Sequence, residues 1–462
     1  MQVARRASAA QLAALGSILA LAAALRVVGA GSGLPLPLLN PDEENLVPRA
    51  WQLVHGGGLD PGWYDYPSLL FLALGPSQLG FDEPSYGAAR VVAVAIGLAG
   101  VAAAWWLGRA AYGTFAGLVG AVGVTVATTH VAYSRMAVTD VLLTLGITST
   151  LALLVSGRLE WAGVAAGLAA SAKYPGALLV VPLVVAGIGR WRRVVRALGL
   201  AALAFVVTSP FVVVHAGAAW DDISRVQRLA QAGWLGFEDD PITPLAFAMR
   251  TWESLGPLAL VGLAGVAVAV RRRTRADLVL LSFTGVYSLS LLPVEAHFDR
   301  YVLPLVPVLC VLAGRGPWLA TAALAAALVP LWWSVDDTRA LTERDPRLDA
   351  AAWIERHVPP RDRIAADPST LPRDPPRLVR LELPGPDRAF DPRRDLAVLR
   401  RVGLRWLVVG DGVADRVLAG ASHYPREARF YRSLEAIEPA FEARRDGDDR
   451  RPRWVRVYRV YP

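Results

Sequence analysis

The chain has 462 residues, 54% of them hydrophobic and only 19% charged, and its apolar residues form unbroken runs rather than an amphipathic period. That composition excludes an ordinary soluble globular protein. The net charge of +8 does not point to nucleic acid, because the arginines cluster between apolar runs and are not interleaved with stacking aromatics. The single cysteine, Cys310, excludes an intrachain disulfide and reads as an inert core residue.

A span of the hydrocarbon core takes about 20 apolar residues at about 1.5 Å rise each. In chain order, candidate spans lie near residues 11–30, 88–109, 114–132, 138–155, 159–172, 174–189, 197–215, 254–270, 277–294, 301–314 and 317–335. The expected fold is therefore an α-helical polytopic membrane protein with about eleven transmembrane helices. The first segment could be a cleaved signal peptide ending at Val28-Gly29-Ala30, but its apolar stretch is long for one and favours a retained helix. Residues 159–189 could form one long span or two short ones broken at Lys173-Tyr174-Pro175-Gly176. Two passes suit the charges better, since one pass would put the cluster at 190–196 outside. With Arg5-Arg6 inside, Arg109, Arg158 and the clusters at 190–196 and 271–275, with Arg315, all fall in the cytoplasm. Trp105-Trp106 and Trp332-Trp333 sit where interfacial anchors belong.

After residue 335 charged residues and prolines replace the apolar runs. Helices are expected at 349–357, 395–402 and 425–436, and strands at 405–409 and 454–461. The reading is a membrane core, 1–335, with a small α/β domain, 336–462, on the extracytoplasmic side of the cell membrane. Gly410-Asp411-Gly412 is expected to be a turn, because it lacks the spaced glycines and following helix of a phosphate loop.

The unusual polar residues lie in the outward loops. Asn40-Pro41-Asp42-Glu43-Glu44-Asn45 opens the first loop, 31–87, and could be nothing more than a helix start, with Asn at the cap, Pro next and acids in the first turn. Three adjacent carboxylates nevertheless repel one another, which capping does not explain. Asp65 and Tyr66 follow in Tyr64-Asp65-Tyr66-Pro67, and Asp140 opens the fourth span, where it too could be a cap. Lys173 is a cation inside an apolar stretch, costly unless it pairs or reaches the interface. His297 and Arg300 crowd a short loop with Glu295 and Asp299. On one face of a membrane, such acids and bases could deprotonate a hydroxyl and stabilise a phosphate leaving group.

In this order and on this side, Asn40-Pro-Asp-Glu-Glu, Tyr64-Asp-Tyr-Pro-Ser-Leu, Ser134-Arg-Met-Ala-Val-Thr-Asp140, Ala172-Lys-Tyr-Pro-Gly and Phe298-Asp-Arg-Tyr-Val-Leu-Pro resemble glycosyltransferase superfamily C. The similarity is to the branch of the protein O-mannosyltransferases and bacterial aminoarabinose transferases. It implies a hexosyl- or pentosyltransferase with a polyprenyl-phosphate sugar as donor, membrane lipids around it, and a protein, lipid or glycan acceptor. It implies Asp42 as general base with Glu43 beside it, and Asp65, Tyr66, Asp140, Lys173, His297 and Arg300 around the substrates. Tyr66 departs from the Lys that the aminoarabinose transferases carry there, which argues against aminoarabinose transfer to lipid A. No cofactor is required. A divalent cation could take oxygens from Asp42, Glu43 and Asp140, although no metal-ligand spacing is present. The competing readings are a transporter or lipid flippase, disfavoured by the absence of an internal repeat, and a non-catalytic subunit of an envelope-glycan assembly.

Overall fold

The computed structural model describes residues 8–371, 377–446 and 451–461, so the Arg5-Arg6 pair lies outside the described residues. The apolar core is built from α1 (Ala9–Val27), α2 (Glu43–Val54), α3 (Leu69–Gln78), α4 (Tyr86–Tyr112), α5 (Thr114–Val126), α6 (Thr128–Tyr133), α7 (Thr139–Val155), α8 (Leu159–Ala172), α9 (Val180–Ala186), α10 (Trp191–Thr208), α11 (Pro210–Val214), α12 (Ala216–Ala232), α13 (Thr243–Leu255), α14 (Pro257–Arg272), α15 (Arg275–Leu291), α16 (Val306–Ala313), α17 (Pro317–Ala326) and α18 (Leu328–Ala340).

Helix lies within each of the apolar segments named above. Among the described residues, three helical stretches are long and apolar enough by themselves to cross a membrane: Ala9–Val27, Tyr86–Tyr112 and Pro317–Ala340. The pair α13 and α14 qualifies only together, and it bends by 116° at Gly256. The remaining segments are shorter or broken, and proline explains several of the breaks. Pro210 starts a new helix after Ser209, and Pro175 and Pro304 sit in 3₁₀ turns ahead of α9 and α16. The expected count of about eleven spans thus exceeds what helix length alone supports.

The ambiguous stretch 159–189 is a hairpin. A side chain at Gly176 would strike the backbone of Ala169 and Ala170, and one at Gly187 would meet Leu159 and Val194. The segment after Lys173 therefore runs back along α8. On the other side of α8, Gly163 and Gly167, one turn apart, lie against the carbonyls of Ala197 and Ala201 on α10, a small-residue seam that lets two backbones approach.

Arg26 and Arg90, both buried, organise the bundle near the loop 31–87. Arg26 of α1 donates to the carbonyls of Val124 and Thr125, at 2.9 and 3.2 Å, so it caps the end of α5 whose last carbonyls have no partner within the helix. Arg90 of α4 donates to both Glu43 oxygens at 2.9 and 2.7 Å and to the carbonyls of Ala30 and Ser32. Glu43 also accepts the backbone N–H of Ala137 at 2.9 Å. One ion pair, at most 1% exposed, thus ties the chain after α1, the start of α2, α4 and the lead-in to α7. At the far end of the helices lie other pairs: Arg193 with Glu160, Arg315 with Asp277, and Arg275 on the Ala186 carbonyl.

Helix α18 runs on past the expected boundary to Ala340, because Asp337 in its last turns is paired with Arg135 at 2.9 Å. Beyond it come α19 (Pro346–His357), β1 (Arg363–Ala366), β2 (Leu378–Arg380), α20 (Leu396–Arg401), β3 (Leu404–Gly410), α21 (Asp411–Ala419), α22 (Pro425–Leu434), β4 (Phe441–Arg444) and β5 (Trp454–Arg459). The sheet order is β2-β1-β3-β5-β4, with β2, β1 and β3 parallel and β5 antiparallel to both neighbours. Leu407 and Val409 face the cluster under α21 and α22, while Trp406 and Val408 face the one under α19, as the strand period of two requires. The expected turn at Gly410-Asp411-Gly412 is instead the junction of β3 and α21. Asp411 opens the helix and accepts the Arg453 N–H at 2.9 Å, so glycine at 412 is carried within a helical first turn.

Gly163→Leu should prise α8 from α10 and cost about 1–3 kcal/mol or more by overpacking, read as a lower unfolding midpoint in detergent. Arg90→Leu, which strands the Glu43 carboxylate, should cost about 3–5 kcal/mol, and Arg90→Met with Glu43→Leu should recover much of it. Equal destabilisation by the single and double variants would show that the pair itself is not what matters.

Candidate functional site

Asp42 sits in the turn that leads into α2. Asn40 does the capping: its Oδ1 accepts the Asp42 N–H at 2.9 Å. The Asp42 carboxylate makes no cap bond at all. It accepts instead from Arg300 at 2.8 Å and from the Tyr66 hydroxyl at 3.3 Å, both on Oδ2, which leaves Oδ1 for another donor. Asp140 likewise makes no cap bond for α7, and pairs with Lys173 at 2.7 Å. Its Oδ2 is buried and without a partner, as is Nε of Arg300.

Two tyrosines join the pairs. The Lys173 Nζ lies 5.4 Å from the Tyr66 ring and 5.6 Å from the Tyr301 ring, and the Arg300 guanidinium lies 5.8 Å from the Tyr301 ring. The 3₁₀ turns Tyr174–Leu179 and Asp299–Leu305 bring these cations in, one at the break after α8 and the other after α15. Burial works against the Arg300 charge, but Asp42, helped by Tyr66 and Asp140, outweighs it and holds the guanidinium above its ordinary range. Burial, then Asp42, pushes the Tyr66 phenol well up, so it remains a hydrogen-bond donor at neutral pH.

Asp42 and Arg300 open onto a cavity of about 900 Å³ lined by the apolar core and by segments around the C-terminal sheet. Asp65 lines it too, paired with Arg225 of α12, and burial lifts its carboxyl above the usual range despite that partner. Asp222, on the same helix, accepts the Tyr64 N–H at 2.9 Å, so α12 straps the first loop from the side.

Of the expected site residues, Asp42, Asp65 and Arg300 line the cavity, Tyr66, Asp140 and Lys173 pack beside Asp42 and Arg300 without lining it, and two lie elsewhere. Glu43, placed beside the acceptor from sequence, is fully buried on Arg90 and does not line the cavity; consecutive residues at a helix start point in different directions, and this one points inward. His297 is 2% exposed, with Nδ1 3.1 Å from Asp240 and Nε2 3.3 Å from Thr243, and it packs edge-on against Phe247. It fastens the chain between α12 and α13 to the loop after α15. The three carboxylates considered for a divalent cation are engaged by three different cations, and among the described residues no group of three His, Cys, Asp or Glu converges. Sequence reasoning passed over Arg225, whose signal was the Asp222/Arg225 pairing on an amphipathic helix, and Tyr301, which stood in the quoted loop without a role. It also passed over the strand ends of the C-terminal sheet, for which no motif exists.

Residues 77–214 match the sequence family described as dolichyl-phosphate-mannose-protein mannosyltransferase. No curated protein matches the sequence significantly. Among solved structures, ArnT from Cupriavidus metallidurans in the apo state superposes with a TM-score of 0.57 at 16% identity, covering 97% of this chain and 98% of that one. The same protein bound to undecaprenyl phosphate gives 0.56 at 15% identity, over 96% and 98%. The archaeal oligosaccharyltransferase AglB from Archaeoglobus fulgidus, in complex with an inhibitory peptide and a dolichol-phosphate, gives 0.62 at 12% identity, over 95% of this chain and 74% of that one. The chain has the fold of glycosyltransferase superfamily C and resembles, within it, the protein O-mannosyltransferases and the bacterial aminoarabinose transferases.

Proposed function

We propose that the chain is an integral-membrane glycosyltransferase that moves a sugar from a polyprenyl-phosphate donor to an acceptor hydroxyl on the outer face of the cell membrane. The observation that carries this reading is the Asp42 carboxylate, freed from capping by Asn40 and presented with Arg300 to a large cavity. The fold shared with ArnT bound to undecaprenyl phosphate and with AglB bound to a dolichol-phosphate supports a lipid-phosphate donor for this chain as well. The arginine clusters at the opposite helix ends support a cytoplasmic N-terminus and an extracytoplasmic C-terminal domain, with a core of about eleven passes.

In this mechanism the free oxygen of Asp42 takes the acceptor proton as the hydroxyl attacks the anomeric carbon, and the lipid phosphate leaves from the opposite face with inversion. Arg300 and Lys173 face the phosphate and absorb the charge that develops on it. Tyr66, standing where the aminoarabinose transferases carry lysine, holds Asp42 by a neutral hydrogen bond and shelters Lys173 with its ring. Glu43 acts through Arg90 by holding the α2 start in place.

Purified protein in nanodiscs, given a panel of polyprenyl-phosphate sugars, should release polyprenyl phosphate. Asp42→Asn should lower that release by about 10²–10⁴-fold while leaving the unfolding midpoint near that of the wild type. Release undiminished in the variant would remove Asp42 from the chemistry. Arg300→Ala should lower release by about 10²–10³-fold, and Arg300→Lys should restore part of it; if the lysine variant were no better than alanine, the planar guanidinium rather than the charge would be the requirement.

A further inference from the structure

The end of the bundle away from Asp42 carries a charge that the site does not use. The turns that close α4, α7, α9, α14 and α16 hold eleven arginines, from Arg109 to Arg315, against two acids, Glu160 and Asp277. That excess is larger than the +8 of the whole chain. Three sets of contacts join the turns into one surface. Asp277 accepts the Tyr112 hydroxyl at 2.7 Å and pairs with Arg315, which ties the ends of α4 and α16 to the start of α15. Arg275 donates to the Ala186 carbonyl at 3.0 Å, which ties α15 to the turn after α9. Glu160 pairs with Arg193 at 2.6 Å, which ties α8 to α10.

These contacts engage both acids and leave the remaining charge turned outward. Arg158, Arg190, Arg192, Arg271, Arg272 and Arg273 are exposed, and among the described residues none of the six has an ion-pair partner. Their mutual repulsion is relieved by anions from outside the chain.

Tryptophan marks what surrounds this end. Trp161, Trp191 and Trp318, in the first turns of α8, α10 and α17, are 67%, 59% and 89% exposed. Each lies within three residues of an arginine of the surface, and Ile188 and Val195 stand exposed beside Trp191. An indole is an apolar plate with one N–H donor, which suits the level between acyl chains and headgroups. The indoles set this end of the bundle at that level, and the arginines reach the phosphates along their stems. An acidic protein or a nucleic acid would meet the guanidinium groups and leave the indoles unexplained. A phospholipid accounts for both, with its phosphate on arginine and its chains against Trp191, Ile188 and Val195.

We propose that the α9–α10 and α14–α15 turns form a binding surface for anionic phospholipids of the leaflet that meets this end. Headgroup phosphates are taken by Arg190 and Arg192 from one turn and by Arg271 and Arg272 from the other. None of these residues lines the cavity at Asp42, so the inference stands or falls apart from the transferase reading.

The test counts lipids retained by the full-length protein, by native mass spectrometry on release from nanodiscs of equimolar phosphatidylcholine and phosphatidylglycerol. Wild type should retain phosphatidylglycerol in excess over its bulk share. Combining Arg190→Gln, Arg192→Gln, Arg271→Gln and Arg272→Gln should lower the retained anionic lipid by about tenfold, with the unfolding midpoint in pure phosphatidylcholine unchanged. Arg→Lys at the same four positions should keep most of it. Arg356→Gln, Arg361→Gln, Arg429→Gln and Arg432→Gln together remove as much charge from exposed positions of the C-terminal domain and should change nothing. The readout does not depend on which way the chain was inserted. A wild type that retains both lipids equally would overturn the proposal, as would equal losses in the two Gln variants. Displacement of the lipid by tripolyphosphate at physiological ionic strength would also overturn it, by making the surface a site for soluble anions.

Discussion

The end of the bundle that carries Asp42 depends on how buried charge is satisfied in an apolar surrounding. A carboxylate or guanidinium taken out of water costs several kcal/mol unless it meets a partner with good geometry, and here Glu43, Arg90, Arg135, Asp140 and Lys173 are each met by a segment distant in sequence. The Glu43–Arg90 pair shows the principle most fully. Arg90 spends two of its donors on the carboxylate and the others on the carbonyls of Ala30 and Ser32, while Glu43 gathers the N–H of Ala137 as well. Asp42 is the neighbour of Glu43, and Asp140 lies three residues past Ala137, so the knot fixes both site acids relative to one another without touching the cavity.

Above that knot, the site is two ion pairs separated by tyrosine rings. The arrangement resolves a tension that the composition raises. Lys173 and Arg300 sit where charge is penalised; Asp140 and Asp42 pair with them, and Tyr66 and Tyr301 supply faces that favour a cation without adding charge. The partial exposure of Asp42, against the burial of Asp140, divides the labour between a carboxylate that can meet a substrate and one that anchors a lysine.

Much of this was legible in the sequence, and the limits are physical. Asp42, Asp65, Asp140, Lys173 and Arg300 stood out because acids and cations among apolar runs need a reason, and the structure gathers all five at one end of the helices. The order of apolar runs and arginine clusters located the helical segments and their reversal at Lys173. What could not be read was direction: Glu43 and Asp42 are adjacent and look alike, yet one points into the core and the other into the cavity. His297 looked like a substrate ligand because histidine in a polar loop is ambiguous, and only its bonds to Asp240 and Thr243 decide the matter. Helix length also escaped, because a hydrophobic run does not reveal whether proline will divide it, as at Pro210 and Pro304. In the C-terminal domain the long strands β3 and β5 were visible, while β1, β2 and β4, three or four residues each, carry too little alternation to recognise. The junction at Gly410 was misjudged for the opposite reason: glycine at 412 signals a turn, but the first turn of a helix tolerates it.

Apart from Arg380 and Gly410, which close β2 and β3, the residues of the sheet that wall the cavity lie in loops beyond the strand pairing. The pairing of β1 with β2 and β3 ends at Ala366, Arg380 and Val408, before the turn at Ser369 and the start of α21. Substitutions and small insertions there can accumulate while the sheet, the helical bundle and the Asp42–Arg300 pair stay as they are. The cavity wall can therefore be reshaped without disturbing the contacts that hold Asp42 and Arg300 in place.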